Sequence, residues 1–215
     1  MERGRAVTLQ PTPPMVYQCR MTETLARAMP LSLPNVLTYG RIAAVPALVG
    51  CLYFLQGDAA RWSAFVLFVA AGITDWLDGY LARIWEQVST LGRMLDPIAD
   101  KLLVGAVLIM LVHDQTISGA SIWAAVIILC REILVSGLRE FLAELNVKVH
   151  VTELAKWKTS LQMIALAVLI AGPAADKFVP GITAGGIVLL WLAALLTLWT
   201  GYDYLKAGIR HAMEH

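Results

Sequence analysis

Six apolar stretches follow one another between Val36 and Leu205, each near the ~20 residues an α-helix needs to cross the hydrocarbon core of a bilayer. Within lipid every backbone N–H and C=O must find its partner inside the protein, so stretches of this kind fold as helices. The spans are expected at about Val36–Leu55, Ala60–Arg83, Pro97–His113, Gly119–Leu142, Trp157–Gly172 and Gly181–Leu205. Asn35 can cap the first. Asp96 can cap the third, with Pro97 at its first helical position. The fifth has the weakest signal, because Lys158, Thr159, Ser160 and Gln162 interrupt its start. Gly181 and Gly185, four apart in the sixth, suit close internal helix packing. Only 15% of residues are charged and 58% are hydrophobic, whereas a soluble domain carries roughly 25% charged residues. The expected fold is therefore all-α and integral to a membrane, a bundle of six transmembrane helices.

Residues 1–34 are polar and rich in proline, and read as a partly disordered lead. Met21 would serve as an alternative start, leaving 1–20 as an extension. Residues 35–208 form one six-helix domain and 209–215 a tail. The net charge of +1 gives no basic field to attract nucleic acid. Cys19, Cys51 and Cys130 are too far apart for a metal motif and read as buried or lipid-facing thiols. His113, His150 and His211 are isolated.

Orientation follows the distribution of Lys and Arg. With both termini cytoplasmic, the outer loops hold only Arg61 and Lys177 of the seventeen basic residues. Asp75, Asp78, Asp96 and Asp100 then fall at the cytoplasmic ends of the second and third helices. A carboxylate at the bilayer centre costs ~2.5–3.5 kcal/mol on the insertion scale, so these groups need cations, basic partners or water. At ~100° per residue, Asp75, Asp78, Gly79, Ala82 and Arg83 share one helix face. Two of the smallest side chains leave room there for something to approach the backbone. Gly92, Asp96 and Asp100 recur at four-residue spacing on the next helix. The connection between the two helices is short, so they are expected to be neighbours with converging acidic faces. Oxygen donors without His or Cys suit Mg²⁺, Mn²⁺ or Ca²⁺, and a dense carboxylate set can hold two ions. The plainer alternative is an acidic loop neutralised by Arg83, Arg93 and Lys101.

The segment DWLDGYLARIWEQVSTLGRMLDPIAD resembles the signature of the CDP-alcohol phosphotransferases, D-x2-D-G-x2-A-R-x8-G-x3-D-x3-D. Asp75, Asp78, Gly79, Ala82, Arg83, Gly92, Asp96 and Asp100 fill it without departure. The resemblance extends over most of residues 32–205 and implies a six-helix membrane bundle, often a homodimer, with its site open to the cytoplasmic interface. It implies that Asp75, Asp78 and Asp96 hold divalent metal, Mg²⁺ or Mn²⁺ and two ions. Asp100 would join them and act as general base on the acceptor hydroxyl. Gly79 and Ala82 would make room for the cytidine nucleotide, Arg83 would neutralise its phosphates, and Gly92 would complete that site.

The acceptor alcohol is addressed elsewhere in the chain. In CREILVSGLREFLAEL, Glu132, Ser136 and Arg139 lie within about 60° of one another on a helix. LAKWKTSLQM brings Lys156, Lys158, Thr159 and Ser160 to the inner mouth of the fifth helix. A phosphate on the acceptor would need such cations. These pieces, with PNVLTYGR, resemble the phosphatidylglycerophosphate synthases within the same family. By that resemblance the substrates are CDP-diacylglycerol and sn-glycerol 3-phosphate, and the protein resides among the lipids of a bacterial cytoplasmic (inner) membrane. Arg131, Arg139, Lys156 and Lys158 would hold the acceptor phosphate. Asn35, Thr38 and Arg41 would line the entrance, the first two toward the CDP-lipid and Arg41 toward the acceptor. Two rivals remain. One is a sister transferase for inositol phosphate, serine or phosphatidylglycerol; the other is a cation transporter using the acidic cluster as its ion site.

Overall fold

A computed structural model describes the backbone of residues 33–85, 90–144 and 153–213, and side chains within 37–75, 77, 95–142 and 157–202. Among the described residues six helices follow in order: α1 (Leu33–Phe54), α2 (Asp58–Trp85), α3 (Thr90–His113), α4 (Ser121–Glu144), α5 (Glu153–Ala175) and α6 (Ile182–Met213). No strand occurs among the described residues. Four helices contain a stretch long and apolar enough to cross a membrane: Leu37–Phe54, Ser121–Leu142, Trp157–Ala175 and Ile182–Tyr202. The two that do not qualify, α2 and α3, are those that carry the aspartates.

Helix three differs from its sequence expectation. It starts at Thr90 and runs through Pro97, so Asp96 lies inside the helix and is not its cap. Pro97 removes one backbone donor from the ladder, and its own carbonyl accepts from Lys101 Nζ at 3.0 Å. Similarly, α1 begins at Leu33, before Asn35, and α6 runs to Met213, through most of the segment read as a tail. The lead up to residue 32 lies outside the described residues.

Direction alternates along the bundle. Asp58 at the start of α2 meets Lys177 beyond α5, and Arg61 meets Asp114 beyond α3, all at one end. At the other end the beginnings of α1, α3 and α5 meet the later turns of α2, α4 and α6. Among the described residues, α2 and α3 do not pack as a pair, contrary to the expectation from their short connection. Helix α1 packs against both, and α5 packs against α2, α3 and α6. More than half of the α5 stretch is buried (56%), against 17–28% in the other three apolar stretches. This central place explains the polar residues at its start: Lys158 and Gln162 are buried among protein groups, while Trp157 and Ile164 of the same helix point outward.

The core between these helices combines large and small side chains. Phe68, Leu103, Leu111, Leu166 and Leu190 are essentially inaccessible, as are Ala64, Ala165 and Ala193. Helices α5 and α6 approach closely at two glycines: a Cβ at Gly172 would lie 2.6 Å from Thr183 Oγ1, and one at Gly186 2.9 Å from Leu169 Cδ2. Gly181 and Gly185 form neither contact, since a Cβ at either meets nothing within 4 Å. Gly181 instead adopts φ 95° at the turn into α6, a conformation that glycine takes without steric penalty. Val66, Ile73, Ile109, Ile133, Val188 and Trp199 point outward and are exposed, an apolar exterior suited to lipid.

Candidate active site

Helix α1 organises the acidic end. Thr38 and Arg41, three residues apart, lie on one helical face and are both 2% exposed. Thr38 Oγ1 donates to Asp96 Oδ1 of α3 at 2.5 Å. Arg41 Nη1 pairs with Asp75 Oδ1 of α2 at 2.7 Å. One face of α1 therefore fixes a carboxylate on each of its two neighbours, which is how acids on helices that do not pack together reach one site.

Asp75, Asp96 and Asp100 border a cavity of about 330 Å³, together with Pro97, Lys101, Arg131, Glu132, Val135, Ser136, Arg139, Lys158 and Thr159. The acids come from α2 and α3. The facing wall comes from α4 and the start of α5. Glu132, Val135, Ser136 and Arg139 line the cavity and recur at helical spacing, which gives α4 a single stripe toward it. Arg131 is 8% exposed and tied on three sides. Its Nε donates to the Thr197 carbonyl of α6 at 3.2 Å, its Nη2 to Thr200 Oγ1 at 3.0 Å, and its Nη1 to Glu132 Oε1 at 3.2 Å. Lys158, 5% exposed, donates to the same Glu132 oxygen at 2.7 Å. Gly201 makes room for the arginine: a Cβ there would lie 3.2 Å from Arg131 Cγ.

Two apolar grooves adjoin the cavity. One, of about 450 Å³, runs between α3 and α4 past Leu102, Gly105, Ile109 and Ile133, and shares Lys101, Glu132 and Ser136 with the cavity. The other, about 520 Å³, runs between α2 and α5 past Phe68, Gly72, Met163 and Ala167, and shares Asp75 and Thr159.

The structure thus brings Asp75, Asp96, Asp100, Arg131, Arg139 and Lys158 together. Thr38 and Arg41 stand behind the acids and hold them. Asn35, Asp78, Gly79, Ala82, Arg83, Gly92 and Lys156 lie on described helices, but their side chains fall outside the described residues. Sequence alone marks Glu132 only as part of a polar face, and Lys101 only as a counter-ion. The available signal is an ionisable group within an apolar helix, which marks a functional position by default. The donor chemistry fits a hard divalent cation, since the acids facing the cavity offer oxygen alone. Among the described residues, however, no three such groups stand close enough to form a ligand set by themselves.

The family model for CDP-alcohol phosphatidyltransferase matches residues 31–199. The chain is 48% identical over 176 residues to the CDP-diacylglycerol–glycerol-3-phosphate 3-phosphatidyltransferase of Rickettsia bellii (strain RML369-C), covering 82% of this chain and 94% of that protein. With the enzyme of the same name from Rickettsia typhi (strain ATCC VR-144 / Wilmington) it shares 47% identity over 176 residues, 82% of this chain and 96% of that one. A cardiolipin synthase (CMP-forming) of Oryza sativa subsp. japonica is 40% identical over 190 residues, covering 82% of this chain and 57% of that protein. On this match and these identities, the chain belongs to the CDP-alcohol phosphatidyltransferase family.

Proposed function

We propose that this protein transfers the phosphatidyl group of CDP-diacylglycerol to sn-glycerol 3-phosphate, giving phosphatidylglycerophosphate and CMP. The observation that carries the reading is the two-sided cavity, with Asp75, Asp96 and Asp100 on one wall and Arg131, Arg139 and Lys158 on the other. A phosphomonoester acceptor needs the cationic wall. The acidic wall suits the pyrophosphate-bearing lipid only with divalent cations between them; Asp75, Asp78, Asp96 and Asp100 would hold two, Mg²⁺ or Mn²⁺. When bound, these ions supply charge to the phosphoryl oxygens.

The chain's own residues do the rest. Asp100 accepts the proton of the acceptor's primary hydroxyl. The hydroxyl oxygen bonds to the phosphorus that carries diacylglycerol, the bond from that phosphorus to the CMP oxygen breaks, and CMP leaves. Arg139, Lys156 and Lys158 hold the acceptor phosphate, with Arg131 anchored beside them. Asn35, Gly79, Ala82, Arg83 and Gly92 line the nucleotide side. Thr38 and Arg41 serve through the acids they hold. The apolar grooves offer paths for acyl chains from the cavity toward the bilayer.

In the topology we propose, all six helices span a bacterial cytoplasmic membrane and both termini and the cavity face the cytoplasm. The six-helix domain acts as a homodimer. A sister transferase with a lipid acceptor is the second reading, favoured by the 40% identity to a protein named cardiolipin synthase. Purified protein is to be given CDP-diacylglycerol with glycerol 3-phosphate, inositol phosphate, serine or phosphatidylglycerol, with and without EDTA. CMP release is expected with glycerol 3-phosphate alone, lost on chelation and restored by Mg²⁺ or Mn²⁺. Release with phosphatidylglycerol alone would establish the second reading.

A further inference from the structure

An acidic side chain in the wall assigned to a phosphate is out of place on charge grounds. Glu132 lies in that wall, between two cations, and takes no part in the reaction as described. Both cations reach the same oxygen, Lys158 Nζ from α5 at 2.7 Å and Arg131 Nη1 from its own helix at 3.2 Å. Arg131 is fixed in turn to α6 through Thr197 and Thr200. A lysine has a long stem and a rotatable ammonium with three donors. Without a fixed partner its ammonium could take several orientations at the cavity wall, and ordering it on ligand binding would weaken affinity.

We propose that Glu132 is a positioning residue for the acceptor site, holding the Lys158 ammonium against the Arg131 anchor so that its remaining donors are set for the acceptor's phosphate. The proposal rests on the transferase reading above, but its subject is distinct. The aspartates border the cavity from the opposite wall, so the carboxylate of Glu132, turned to Lys158 and Arg131, acts chiefly on the acceptor, even though the residue also borders the α3–α4 groove. The carboxylate repels an incoming phosphate somewhat. It also offsets the two nearly buried positive charges beside it, which holds both cations in place.

The test is steady-state kinetics on Glu132→Ala and Glu132→Gln, varying each substrate separately. Glu132→Ala should raise KM for glycerol 3-phosphate about tenfold or more, with a much smaller change in KM for CDP-diacylglycerol, whose α3–α4 groove Glu132 only borders. Glu132→Gln keeps an oxygen for Lys158 without the charge and should raise the acceptor KM less. Lys158→Ala combined with Glu132→Ala should be no worse in acceptor KM than Lys158→Ala alone, because the carboxylate then has nothing to position. Parallel loss for both substrates, or additive effects in the double variant, would overturn the proposal and leave Glu132 as a structural ion pair. Where Glu132→Ala does not fold, the glutamine variant decides: a rise confined to the acceptor KM supports the role, and an unchanged acceptor KM rejects it. Wild-type protein inert toward glycerol 3-phosphate would instead defeat the proposed reaction itself.

Discussion

Asp100 and its companions can be found from spacing alone, because helical period and the expense of carboxylates near lipid both act on local sequence. The side chains that hold them cannot. Thr38 and Arg41 are ordinary residues at the start of an apolar run; only the packing of α1 between α2 and α3 shows that they fix Asp96 and Asp75. Glu132 is hidden for the same reason, since its partner Lys158 is 26 residues away in sequence. If Asp100 accepts the acceptor's proton, Asp100→Asn should lower kcat by about 10²–10⁴-fold. CDP-diacylglycerol binding, followed by calorimetry in detergent, should fall far less. Equal loss of turnover and binding would move Asp100 from proton acceptor to mere support of the nucleotide.

The helices themselves are largely readable, since apolar runs of spanning length declare themselves by composition. Their ends and neighbours are harder. Pro97 looks like a starting residue because proline favours that position, yet α3 has two earlier turns and carries the proline inside. Lys158 and Gln162 make α5 look doubtful, when they mark the protein-facing side of the most buried of the four apolar stretches. The glycine pair at 181 and 185 points to a contact that Gly186 makes instead, because the face turned to α5 depends on the crossing and not on the motif. Gly186→Leu should accordingly force α6 from α5 and lower stability by about 1–3 kcal/mol, read as an earlier melt in detergent. Gly185→Leu, in open space, should melt like the parent.

Taken whole, the molecule has two dissimilar ends. The far end is tied by Arg61 with Asp114 and by Lys177 with Asp58; the cavity lies at the other. The sequence pattern assigns all but two of the seventeen basic residues to the cavity side, and that asymmetry is what orients the proposed bundle. Lys177→Cys, in a background with Cys19, Cys51 and Cys130 replaced, should react with a membrane-impermeant maleimide in intact cells. A C-terminal tag should become accessible only after permeabilisation. Labelling of the thiol introduced by Lys177→Cys only after permeabilisation would invert the topology.

Gly201 makes the acceptor wall vulnerable from behind. Arg131 threads past it so closely that a methyl carbon there would lie only 3.2 Å from Cγ, and the glycine is not among the residues that line the cavity. A valine there would work as a wedge, levering the guanidinium off Thr197 and Thr200 and slackening the wall that Arg131 anchors. Such a lesion would present as a weak grip on glycerol 3-phosphate in a protein whose reactive groups are all intact, and titrating that substrate against Gly201→Val would expose it.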